Sequence, residues 1–186
     1  MNVSLLANIV LVGFPGAGKT TVGKVLAKLL QYDFLDLDQE LETFFRISIP
    51  DFIQKYGESA FRQCEYRVLK ECLLQDRERN IVLSTGGGTP CYNEAMDFIN
   101  QHATAVYIKM SKASLHNRLS HAKKKRPLIQ QYDAEGLMEY IETTLAIREP
   151  IYEQAALVVK GESIDVQELA ERIENGKLRM DGTWEE

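Results

Sequence analysis

Residues Gly13-Phe14-Pro15-Gly16-Ala17-Gly18-Lys19-Thr20 combine spaced glycines with a lysine and a hydroxyl. That combination suits the handling of polyphosphate. Glycines let the backbone turn tightly and aim N–H groups at phosphate oxygens. Lys19 can reach the β- and γ-phosphates of a nucleotide, and the Thr20 hydroxyl can ligate Mg²⁺. The same letters could form an ordinary turn, but the flanks argue otherwise. An apolar run, Ile9 to Val12, leads in, and Val22, Val25, Leu26, Leu29 and Leu30 recur at helical spacing beyond it. This is the strand, loop and helix context that a Walker A motif requires. The helix starting near Lys19 adds its positive end. Gly16, Ala17, Gly18, Lys19, Thr20 and Thr21 are therefore candidates to bind ATP as a co-substrate. The motif says nothing yet about the reaction.

Other residues offer complementary chemistry. Phe34-Leu35-Asp36-Leu37-Asp38 reads as a short strand ending in acids, and period-two alternation puts Phe34, Asp36 and Asp38 on one side. Acids just past a buried strand are costly unless they meet a cation or a hydroxyl. One can serve Mg²⁺ and the other an acceptor substrate; a strand-end turn before a solvated helix is the plainer alternative. Arg62 and Glu65 stand three apart on a predicted helix. They can form a surface pair, or the glutamate can hold the arginine as a rigid reader of carboxylates. Gly86-Gly87-Gly88 follows the apolar run Ile81 to Ser84. Three glycines are expensive in backbone entropy, and after a strand they suggest a ligand approaching the main chain. Lys123-Lys124-Lys125-Arg126 is either a solvated charge run or a mobile loop closing over phosphates to exclude water.

These residues need a scaffold. Strand-like runs lie near 9–12, 34–38, 81–84, 104–108 and 156–159, alternating with helical patterns. The helices beyond the first fall at 39–45, 49–56, 58–74, 93–100, 111–119, 134–147 and 165–173, and Pro150 is expected to kink or restart the 134–147 pattern. Such alternation predicts an α/β fold with a parallel sheet and the site at the strands' C-terminal edge. The chain has 186 residues, enough for one domain with a sizeable core. Its net charge of -5 argues against a general nucleic-acid binder, and no apolar run reaches membrane-spanning length. Cys64, Cys72 and Cys91 show no metal spacing. They read as free thiols, so a cytoplasmic location is expected. The stretch from Asn175 reads as a polar tail.

Together the motifs resemble the shikimate kinase family of P-loop NTPases. The resemblance rests on the loop from Gly13 to Thr20, Asp36-Leu37-Asp38, Phe61-Arg62 with Glu65, Gly86 to Gly88, Arg126-Pro127-Leu128 and Arg148-Glu149-Pro150-Ile151-Tyr152. It implies a three-layer fold: a central five-stranded parallel sheet, helices on both faces, and a mobile lid at about 118–132. A kinase domain would occupy 1–174 and the tail 175–186. The implied activity is transfer of the ATP γ-phosphoryl group to the 3-hydroxyl of shikimate. By this resemblance Lys19, Asp38 and Arg126 are catalytic. Thr20 and Asp36 hold Mg²⁺, and Asp38 bonds the acceptor's hydroxyls. Arg62 and Arg148 hold its carboxylate, and the backbone of Gly86, Gly87 and Gly88 lines its pocket. Arg118 stacks on adenine, and Arg126 enters from the lid. The expected partners are these small molecules alone, with no nucleic acid or membrane and a monomeric chain. A gluconate kinase of similar fold is the nearest rival. A nucleoside monophosphate kinase and a non-catalytic nucleotide-dependent switch are weaker ones.

Overall fold

The computed structural model describes residues 8–121 and 133–175. Arg126, most of the expected lid and Trp184 fall outside the described residues. The described strands are β1 (Ile9–Val12), β2 (Asp33–Asp36), β3 (Ile81–Ser84), β4 (Thr104–Lys109) and β5 (Leu157–Lys160). The helices are α1 (Lys19–Leu30), α2 (Leu37–Phe45), α3 (Ile49–Tyr56), α4 (Glu58–Leu74), α5 (Ala95–His102), α6 (Lys112–Ser120), α7 (Ala134–Tyr152) and α8 (Val166–Asn175). A 3₁₀ turn covers Thr89–Cys91.

The strands form one sheet in the order β2-β3-β1-β4-β5, every pairing parallel. Successive side chains on a strand face opposite sides, yet every residue of β1 and β3 is buried. Both faces of the sheet are therefore covered, as the unbroken apolar runs require. The chain leaves β1 between β3 and β4, so the loop after β1 sits where strand order reverses, the usual place for ligands in such sheets. The register places Asp36 beside Ser84 at that edge.

Local signals set the element ends. Ser48 caps α3 by accepting from the Asp51 N–H at 3.2 Å, and Ser111 caps α6 from Ser114 at the same distance. Gly57, with φ of 84°, separates α3 from α4. In three places the sequence expectation shifts. α1 buries Val22, Leu26 and Leu30 but leaves Val25 and Leu29 exposed, because its inner stripe is narrower than its apolar pattern. β2 ends at Asp36, which becomes the extended residue preceding α2, so Asp38 lies in the first helical turn and strand alternation does not govern it. Pro150 does not restart α7, which runs through to Tyr152. The proline contributes no N–H to the Ala146 carbonyl, and the last turn continues around it.

Candidate active site

A cavity of ≈ 230 Å³ opens at the C-terminal ends of β1, β2 and β3, lined by Gly16, Gly18, Lys19, Thr20, Thr21, Asp36, Asp38, Ser84, Thr85, Gly86 and Gly87. The loop leaving β1 forms one wall. Phe14 anchors it, buried with its ring 6.3 Å from that of Tyr140. Lys19 is buried, and its ammonium donates to the Gly13 carbonyl at 2.7 Å and the Phe14 carbonyl at 3.0 Å. An ammonium has three donors, so it is held by the loop while remaining suited to bridge loop and phosphate. Arg118, from the last turn of α6, donates to the Ala17 carbonyl at 3.1 Å and thus ties α6 to the same loop.

Behind the loop the Thr20 hydroxyl donates to Asp36 Oδ2 at 2.9 Å and lies 3.4 Å from Ser84 Oγ. Three oxygens from α1, β2 and β3 thus meet at one corner. Hard oxygen donors of this kind, few in number, suit Mg²⁺, which fills its remaining positions with water and phosphate. Asp38 projects from the first turn of α2 toward the glycine loop, where a methyl group on Gly86 would lie 3.2 Å from its Oδ1. The two acids line the same cavity with different neighbours, Thr20 for Asp36 and the Gly86 backbone for Asp38.

The glycine run is explained first by protein neighbours. A methyl on Gly87 would lie 2.4 Å from Pro15 Cδ, so only glycine lets this loop rest on the phosphate loop. One on Gly88 would lie 2.9 Å from Arg62 Nη2. The sequence suggests a ligand against this backbone; the structure adds Pro15 and Arg62 as the groups that need the space. Thr85 fixes the start of the run by donating to the Leu11 carbonyl at 2.9 Å. Tyr152 fixes its middle through a short hydrogen bond to the Gly87 carbonyl.

Arg62 stands on α4 with Nη1 donating to Glu65 Oε2 at 2.7 Å, confirming the pairing expected from their spacing. Glu65 is 3% exposed, and its other oxygen accepts from Thr89 Oγ1 at 2.7 Å. A buried carboxylate with both oxygens engaged is a firm support. Burial lowers the Arg62 pKa, but Glu65 and then Glu58 more than offset it, so the guanidinium is held above its ordinary value. Arg148 reaches the same place from α7. Burial pushes the Cys91 thiol up, while the charges of Arg148 and then Arg62 pull it down. Both guanidiniums thus lie within electrostatic reach of the 3₁₀ turn at the end of the glycine loop.

The structure therefore gathers Lys19, Thr20, Asp36, Asp38, Gly86 and Gly87 around one cavity, while Arg62 and Arg148 stand outside its lining, near the 3₁₀ turn that follows the glycine loop. Arg118 bonds the backbone of the phosphate loop and is not part of the cavity lining. Ser84, Thr89, Tyr92 and Tyr152 carry site contacts that sequence reasoning assigns to none of them. Their only signal is position: a hydroxyl closing an apolar strand, or a tyrosine one helical turn after Arg148.

The chemistry of this arrangement fits the known proteins that the chain resembles. A family model described as "Shikimate kinase" matches residues 15–176. A shikimate kinase of Parabacteroides distasonis is 35% identical over 175 residues, covering 94% of this chain and 99% of that protein. The crystal structure of shikimate kinase from Bacteroides thetaiotaomicron superposes with a TM-score of 0.83 at 33% identity, covering 91% of this chain and 97% of the other. Shikimate kinase from Acinetobacter baumannii, solved in complex with shikimate, gives a TM-score of 0.77 at 36% identity, over 92% of this chain and 93% of that one.

Proposed function

The chain belongs to the shikimate kinase family, and from that premise we propose that it transfers the γ-phosphoryl group of ATP to the 3-hydroxyl of shikimate, giving shikimate 3-phosphate and ADP on the route to chorismate. The observation that carries this reading is the contact of Gly87 with Pro15. It joins the phosphate loop to a second loop whose other neighbours are Asp38, Arg62 and the Arg148 side of α7. A donor half and an acceptor half are thus packed against each other.

Gly16, Ala17, Gly18 and Thr21 cradle the phosphates, and Lys19 offsets the charge that builds on the oxygens in transfer. Thr20 and Asp36 would hold Mg²⁺, which when bound supplies further charge neutralisation across the β- and γ-phosphates. Arg118, tied to the phosphate loop through the Ala17 carbonyl, stacks on adenine, and Arg126 serves from the lid. Arg62 and Arg148 bind the shikimate carboxylate, so the ring is oriented by two charged contacts at its far end. The backbone of Gly86, Gly87 and Gly88 lines the ring's pocket. Asp38 accepts a hydrogen bond from the reacting hydroxyl. As that oxygen bonds to the γ-phosphorus, the bond from phosphorus to the β,γ-bridging oxygen breaks, ADP departs, and the hydroxyl proton passes to Asp38.

The family match over residues 15–176 supports 1–174 as the kinase domain, with a monomer as the proposed working unit. The free thiols of Cys64, Cys72 and Cys91 support a reducing, cytoplasmic setting. No helix among the described residues is long and apolar enough to cross a membrane. The test is ADP release with Mg²⁺-ATP and either shikimate or gluconate. Release dependent on shikimate is expected. Release with gluconate alone would reassign the acceptor, and release with neither would point to a nucleotide-dependent switch.

A further inference from the structure

The guanidinium of Arg62 is held by contacts of two kinds. Most are fixed. Nη1 bonds the buried Glu65 at 2.7 Å. The Tyr92 ring lies 4.3 Å from Cζ, and the Gly88 backbone packs against the guanidinium, facing both terminal nitrogens without a side chain. Asn93 holds the Arg62 backbone, its amide donating to the Arg62 carbonyl at 2.9 Å, and does so from a left-handed conformation with φ of 54°. These contacts set the plane of the fork and turn one edge toward the end of the glycine loop.

The remaining contact differs. Nη2 donates to Glu58 Oε1 at 3.1 Å, and the Glu58 side chain is 60% exposed against 3% for Glu65. Water solvates the exposed Glu58 carboxylate nearly as well as the guanidinium does, so releasing it costs little, whereas releasing buried Glu65 would be costly. Glu58 is therefore the exchangeable partner, and chemically it is a carboxylate, the same group that the acceptor presents.

We propose that Glu58 is an internal competitor for Arg62: its carboxylate occupies the Nη2 edge that the acceptor's carboxylate must take. The inference rests on the reading of Arg62 as the acceptor's carboxylate partner. Its consequence is selectivity. An anionic acceptor exchanges one carboxylate for another and releases Glu58 to water, which it already meets. A neutral polyol offers Arg62 no charge in return and leaves Glu58 in place. Glu58 acts through Arg62 and is a positioning residue.

The test compares wild type, Glu58→Gln and Glu58→Ala by calorimetric titration with shikimate and with its uncharged methyl ester, alongside steady-state KM values. Removing a weak exposed competitor should tighten shikimate binding about two- to fivefold and lower its KM by a similar factor. The KM for ATP should not follow, and the ester should bind all three proteins alike. A merely supportive Glu58 would give the opposite sign, because loosening Arg62 weakens capture. Shikimate affinity that is unchanged or weaker in both variants overturns the proposal, as does an equal gain for the ester. Arg62→Ala is titrated in parallel: if it binds shikimate as wild type does, the reading of Arg62 itself fails, a result distinct from failure of Glu58 alone.

Discussion

In the proposed reading Asp38 and Arg62 meet the acceptor with opposite charges, and each makes a separable contribution. Asp38 lies beside Gly86, while Asp36 is engaged with Thr20. If Asp38 takes the hydroxyl proton, Asp38→Asn should lower kcat by about a hundredfold or more, with a smaller change in shikimate KM. Near-normal turnover in a steady-state assay would remove that role. Arg62 presents a planar fork whose orientation is fixed by Glu65 and Tyr92. A lysine keeps the charge but loses the fork and the stacking plane. Arg62→Lys should therefore raise shikimate KM by about tenfold, the order expected for one charge-assisted hydrogen bond, and leave ATP KM near its wild-type value. Equal KM values for shikimate would contradict it.

At the level of elements, the site depends on two loops that touch. Gly87 rests on Pro15 so closely that a methyl would sit 2.4 Å from Cδ, and Tyr152 of α7 secures the Gly87 carbonyl from behind. Gly87→Ala must push the loops apart. Overpacking of this kind costs about 1–3 kcal/mol, which in a domain of this size lowers Tm by roughly 2–4 °C per kcal/mol. Thermal unfolding should show that loss, and kinetics should show a higher KM for shikimate; an unaltered Tm would mean that the contact is not tight. Much of this arrangement was legible in the sequence. The phosphate loop has a fixed spacing set by phosphate geometry, and Arg62 and Glu65 are neighbours on one helix, so local pattern identifies both. Asp38 was legible as an acid but not in its placement, because Asp36 ends the strand and the helix starts one residue later. The bond from Tyr152 to Gly87 spans 65 residues of sequence, and the bond from Thr89 to Glu65 spans 24. Contacts of that kind are created by packing and leave no periodic trace.

Across the whole molecule, the sheet brings distant ends of the chain to one edge, and some surface charges serve this frame rather than the chemistry. Glu162, in the turn after β5, accepts from the Ser111 N–H at 2.7 Å and so secures the start of α6, the helix that carries Arg118. That backbone hydrogen bond holds its carboxyl well down, at about 2. A depressed folded-state pKa stabilises above the unfolded-state value and is lost as pH falls through the folded one. Wild type should accordingly lose stability relative to Glu162→Gln between about pH 4.5 and pH 2, with the gap between their melting temperatures narrowing through that window. A constant gap would show that this carboxylate is not linked to folding. The same convergence of distant segments underlies the central claim, that the phosphate loop and the Asp38, Arg62 and Arg148 side form one two-substrate site. A crystal structure with ADP, Mg²⁺ and shikimate tests it most directly. The expected result is both guanidiniums on one shikimate carboxylate, the 3-hydroxyl within hydrogen-bond distance of Asp38, and Mg²⁺ at the Thr20 and Asp36 corner. Shikimate bound elsewhere, or with its carboxylate turned toward the phosphate loop, would contradict it.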